Sequence, residues 1–125
     1  DALTAEKLFP DKRKIIHFMQ PHQPFISDPE AGSGFDWLMR DDGGKSVWNK
    51  AMKSEISRER AVKGYKQNLR EVEDAIDRLS TGLAGRTIVT SDHGNLLGEN
   101  GLYGHPRGLN ARVLREVPWD VISEG

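Results

Sequence analysis

The chain has 125 residues, 18 Lys plus Arg against 19 Asp plus Glu, a formal charge of -1, and 36% hydrophobic residues. That length fits one domain or part of a larger one, and the balanced charge removes the global basic field that nucleic acid binding relies on. With no cysteine, disulfide frameworks, thiolate metal sites and cysteine nucleophiles are excluded within these residues. No stretch approaches the roughly 20 apolar residues of a membrane span, and the N-terminal residues hold no apolar signal core, so a soluble chain is expected and its compartment is left open. The first residue, Asp1, rather than methionine, suggests a processed or truncated product.

In chain order, residues 1–12 are a polar lead-in, and Arg13 to Gln20 is a short apolar, β-branched run that reads as a buried first strand stopped by Pro21. Within it, His17 is expected to be a hydrogen-bonded core histidine. Between Pro21 and Gly44 the prolines and glycines predict a long loop. Asp41 and Asp42, flanked by Gly43 and Gly44, read as turn residues.

Ser46 is a candidate helix cap for Val47 through Ile56, and a longer helix is expected from about Glu59 to Ser80. In that helix Val62, Tyr65, Leu69, Val72, Ile76 and Leu79 are spaced 3, 4, 3, 4, 3, which puts all six on one apolar face. Gly82 and Gly85 supply a stop, and Arg86 to Ser91 has the β-branched composition of a second buried strand. A third strand is expected over Val117 to Ile122, at an edge because of Pro118.

Strand, helix, strand predicts a right-handed parallel crossover, hence an α/β fold with a mostly parallel, partial doubly wound sheet. Sites in such sheets are built at the carboxyl ends of the strands. Asp92-His93-Gly94 follows one expected strand and Pro21-His22 the other. Asp92 and His93 offer one carboxylate and one imidazole, donors suited to Zn, Mn or a related divalent ion, and the expected topology brings His22 and His105 to the same edge.

The block from Thr90 to His105, with Asp92-His93-Gly94, then Leu97-Gly98-Glu99 and a glycine-rich turn, resembles the alkaline phosphatase and sulfatase superfamily. The segment His17 to Phe25, the Gly104-His105-Pro106 turn and the run Arg115 to Trp119 are similar to sulfatase-like members of it. The resemblance spans residues 13–122 and implies the C-terminal part of an alkaline phosphatase/sulfatase-like domain. It implies a metal-dependent hydrolase or transferase of phosphate or sulfate esters, with a divalent ion (Zn, Mn, Mg or Ca).

By the same resemblance Asp92 and His93 ligate the metal, while His22 and His105 either hold a second ion or contact the substrate oxyanion as catalytic histidines. Arg107 is a further anion contact or a solvated loop residue, and Glu99 orients a ligand or braces its loop. Asn95 departs from the Glu often found after Asp-His-Gly. The superfamily's nucleophile segment is not found, since Ser27-Asp28-Pro29-Glu30-Ala31 lacks the arginine of a formylglycine motif; the chain alone is therefore expected to be inactive.

Two other readings stand beside this one: a non-catalytic metal- or anion-binding module on the same scaffold, and a domain whose histidines share no site. The expected partners are a phosphate or sulfate ester and, through an exposed sheet edge, a second copy of the chain. No nucleic acid partner and no membrane segment are expected.

Overall fold

A computed structural model describes residues 1–32 and 45–124; the expected turn at Asp41 and Asp42 lies outside them. Helices account for most of the ordered backbone, and the three longest each begin where a side chain satisfies an otherwise unpaired N–H. Asp1 accepts from the Thr4 N–H at 2.9 Å to open α1 (Ala2–Leu8). Ser46 does the same from Asn49 for α2 (Val47–Met52), and Ser57 from Arg60 for α3 (Arg58–Ser80). The expected cap at Ser46 and the long helix are both formed.

Helix α2 stops short of Ile56 because Ser54 takes a left-handed conformation, φ 58°, and the Glu55 N–H turns back to the Lys50 carbonyl at 2.8 Å. That closure satisfies a carbonyl the helix would otherwise leave open.

The strands are short. β1 (Arg86–Thr90) is followed by β2 (Leu96–Leu97), a single 3-10 turn at Glu99–Gly101, β3 (Tyr103–Gly104), the one-turn helix α4 (Arg112–Arg115) and β4 (Trp119–Glu124). β1 pairs antiparallel with β4, Ile88 opposite Val121 and Thr90 opposite Trp119, and the Thr90 hydroxyl donates to the Pro118 carbonyl at 2.8 Å. β2 and β3 make a small antiparallel hairpin, Leu97 opposite Tyr103.

Three sequence expectations change here. Residues 13–19 form neither helix nor strand, and Ile15 is 98% exposed. The neighbour this run was expected to have, β1, pairs with β4, so nothing among the described residues pairs its backbone as a strand requires. His17 within it is exposed rather than a core histidine. Accordingly, the described residues form two antiparallel two-stranded sheets and no parallel pair. Side chains rather than backbone pairing hold the run: Lys14 pairs with Glu6 of α1 at 2.7 Å, and Ile16 and Phe18 join Leu3 of α1 and Ala75 and Leu79 of α3 around an open cleft.

The buried face of α3 is also rotated from the expected stripe. Ala61, Gly64, Asn68 and Val72 are buried, whereas Leu69 is 39% exposed. Phe25, fully buried, drives this: its ring lies where a Cβ on Gly64 would be, so only glycine lets the helix approach. Around Phe25 gather Ala31, Val47, Ala51, Ala61 and Tyr103, with Trp48, Ile56 and Tyr65 packed on the outside. Trp48 meets Phe25 edge-on at 6.1 Å and stacks on Tyr103 at 6.3 Å between ring centroids. This cluster joins the loop of residues 21–31, α2, α3 and β3, the segments that carry or flank the expected site residues. No helix among the described residues is long and apolar enough to cross a membrane.

Candidate functional site

Three separate devices place the expected site residues. The first is the loop after β1. Gly94 donates its N–H to the Leu114 carbonyl at 3.1 Å, and a Cβ there would overlap the Val113 carbonyl oxygen. The glycine of Asp92-His93-Gly94 is thus set by its contact with α4. Just before it, the His93 N–H donates to the Asp92 carboxylate at 3.0 Å, and His93 Nδ1 lies 2.9 Å from the Gly94 carbonyl. A carbonyl only accepts, so in the neutral ring Nδ1 carries the proton and Nε2 the lone pair.

Asn68 is the second device, and it escaped sequence reading. It is fully buried in α3; its Oδ1 accepts from the Ile26 N–H at 2.8 Å, and its Nδ2 faces the carbonyls of His22 at 2.9 Å and Pro24 at 3.2 Å. One amide therefore shapes the loop that carries His22. A polar residue four positions from a glycine in mid-helix was the available signal. Gln23, also buried, accepts from the Val47 N–H at 2.6 Å and ties the same loop to α2. His22 Nδ1 then faces the Gln23 carbonyl at 2.5 Å, the tautomer found at His93.

The hairpin of β2 and β3 is the third. It returns the chain so that His105, just after β3, lies against His93 with ring centroids 4.2 Å apart and planes inclined at 51°. The Glu99 carboxylate accepts from the Leu97 N–H at 2.5 Å, and so braces this loop. Asn95 donates to the Tyr65 hydroxyl at 3.3 Å, while its buried Oδ1 has no hydrogen-bond partner among the described residues. Arg107 is exposed.

His93 and His105 thus lie ring against ring beside Asp92 on an open surface, with His22 close enough for its charge to act on His105. Their mutual influence is electrostatic: His105, although on the surface, sheds enough water that its pKa is pushed below the ordinary 6.5. Positive charge on His93 and on His22 pushes it the same way, and the Asp92 carboxylate opposes them.

Whether these groups fit a metal ion follows from their spacing. Asp92 Oδ2 and His93 Nε2 are 3.8 Å apart, with the two side chains 78% and 38% exposed. Donors about 2.1 Å from one tetrahedral ion lie roughly 3.4 Å from each other. The pair has suitable chemistry at a slightly open distance, but among the described residues no group of three or more His, Asp or Glu side chains is placed to hold an ion. The described residues therefore do not make a complete ion site by themselves. Protein-family models, curated proteins and solved structures were all compared with the chain, and none matches it.

Proposed function

We propose that this chain supplies the histidine-lined edge of a metal-dependent hydrolase or transferase of phosphate or sulfate esters, on an alkaline phosphatase/sulfatase-like α/β scaffold. Its nucleophile would come from a segment outside the described set. The observation that carries the reading is the contact of the His93 and His105 rings beside Asp92, brought together from two separated stretches of chain, with His22 from a third within reach of their charge.

In this reading His22 and His105 are the groups that meet the ester's oxyanion, each through a hydrogen bond from a ring N–H. Asp92 and His93 are two donors of a divalent ion, Zn, Mn, Mg or Ca, whose remaining ligands come from elsewhere. The tautomer fixed by the backbone carbonyls of Gln23 and Gly94 aims Nε2 of His22 and His93 away from the loop backbone. A carbonyl acting on the far nitrogen of a ligating histidine orients and strengthens it.

The test is an imidazole NMR titration of the chain with inorganic phosphate, sulfate, Zn and Mn. Joint perturbation of His22, His93 and His105 by the anions is expected, together with metal affinity that drops at least about tenfold in Asp92→Ala. Histidines that respond separately, or metal binding indifferent to Asp92, would overturn the reading. Hydrolysis of an aryl phosphate or sulfate by the chain alone should stay at the buffer rate.

The high exposure of Asp92 and the incomplete donor set favour one second reading, a metal- or anion-binding module without turnover. Anion binding that persists after the missing ligands and nucleophile are restored in trans, with no ester cleavage, would select it. We also propose self-association through the sheet: β1 and β4 each have one edge unpaired within the described residues, and such edges template pairing with another chain.

A further inference from the structure

Away from the histidine edge, the face of α3 opposite its buried residues bears Arg58, Lys63, Lys66 and Arg70 around an open groove of about 360 Å³, with Glu59 and Val62 in its lining. None of these four cations pairs with a carboxylate among the described residues, although carboxylates outnumber Lys and Arg in the chain. Glu59 is the one carboxylate in this lining: its carboxyl is held low chiefly by its own backbone N–H and the Ser57 hydroxyl, and also by the Arg58 charge, so four cations face a single negative charge.

Lys63, Lys66 and Arg70 follow one another at helix spacings of three and four, where like charges repel. Glu59 offsets Lys63 at the i,i+4 spacing, and an anion laid across the remaining cations would relieve their repulsion. From Arg58 to Arg70 the helix rises about 18 Å, longer than one oxyanion and suited to several in a row. Arg58 Nε donates to the Leu97 carbonyl at 2.7 Å, which fixes one end of the groove to the loop that also carries Glu99. No aromatic ring lines the groove, so it lacks the platforms on which bases of single-stranded nucleic acids stack.

We propose that this groove is a second anion site, separate from the histidine edge, which takes successive sulfate or phosphate groups of a linear oligoanion. It goes beyond the proposed ester chemistry and does not depend on it.

The experiment is calorimetric titration of the whole chain with a sulfated heparin oligosaccharide, a linear polyphosphate and an oligothymidylate. Binding of the sulfated or the phosphate oligomer is expected, with affinity falling on the order of 10- to 100-fold between about 50 and 200 mM salt. Whichever of the two binds more tightly identifies the source of the oxyanions. The K63E/K66E/R70E variant should lose at least about tenfold, whereas His93→Ala should retain the affinity. If the charge-reversed variant does not fold, K63Q/K66Q/R70Q serves, with a smaller loss in the same direction. Undiminished binding in the folded variant, loss in His93→Ala, no binding of either oligomer, or tighter binding of oligothymidylate would each overturn the proposal.

Discussion

Asn68 shows how one side chain can set a loop. Buried in α3, it offers one acceptor and two donors, and backbone groups of the 21–26 loop meet both ends of the amide. Replacement by leucine would keep much of the volume and strand the Ile26 N–H and the His22 carbonyl. We expect Asn68→Leu to cost about 1–3 kcal/mol, read as a fall in the denaturation midpoint, and to displace the His22 ring resonances more than those of His93. Unchanged His22 resonances would show that the loop is held without the amide.

Gly64 makes a complementary case. Alanine normally stabilises a helix interior relative to glycine by roughly 1 kcal/mol, but here its methyl would occupy the place of the Phe25 ring. Overpacking wins, and Gly64→Ala should lower stability by about 1–3 kcal/mol; a rise in melting temperature would contradict the packing.

His105 carries a pH dependence. Its folded pKa lies below 6.5, from lost hydration and then from the charges of His93 and His22. The unfolded chain therefore binds that proton more readily than the native one. Stability from neutral His105 is complete above about pH 6.5 and is lost as pH falls through the lower, folded value. Denaturation midpoints between pH 8 and pH 5 should decline for the native sequence and flatten in His105→Gln; equal slopes would remove His105 as the cause.

At the scale of elements, α3 is the organiser. Its start is legible from sequence because capping is local: Ser57 Oγ accepts from the Arg60 N–H at 3.1 Å, and Ser57→Ala is expected to cost about 1 kcal/mol in a denaturant titration. Further along, Arg60 grips Asp28 through two bonds, 2.7 and 2.8 Å, and Gln67 accepts from the Ser27 hydroxyl at 2.8 Å. With Asn68 these make one side of the helix a clamp for the loop bearing His22. The Arg60 guanidinium beside it lowers the Asp28 pKa, so this contact weakens only as pH falls through the folded value of that carboxyl. The helix α4 and the β2–β3 hairpin went unread because each is too short for a periodic signal. Each is held by tertiary burial of one side chain, Leu114 in α4 and Leu96 in β2.

For the whole molecule, the apolar surface is the salient property. Trp119 is 66% exposed, and Val121, Ile122, Ile16 and Met19 also reach solvent. A two-stranded antiparallel sheet is marginal alone and gains from added strands. Sedimentation velocity at rising concentration is expected to show self-association that Val121→Lys reduces; a monomer throughout would leave the sheet edge without a copy as partner.

Sequence alone determined what local chemistry can determine: the cap at Ser46, the extent of α3 within one residue at its start, and the strand after Gly85, where β-branched residues follow a helix stop. It also brought forward Asp92, His93, His22 and His105, of which the fold sets the His105 ring against that of His93. Tertiary structure decided the rest. The partner of β1 became β4 because pairing is a choice among distant segments that periodicity cannot rank. The run 13–19, apolar as any strand, stayed unpaired for want of a neighbour. The face of α3 that went inside was the one carrying Gly64 and Asn68, since the shape of Phe25 and the hydrogen-bonding needs of a buried loop outweighed the wider apolar stripe beside them.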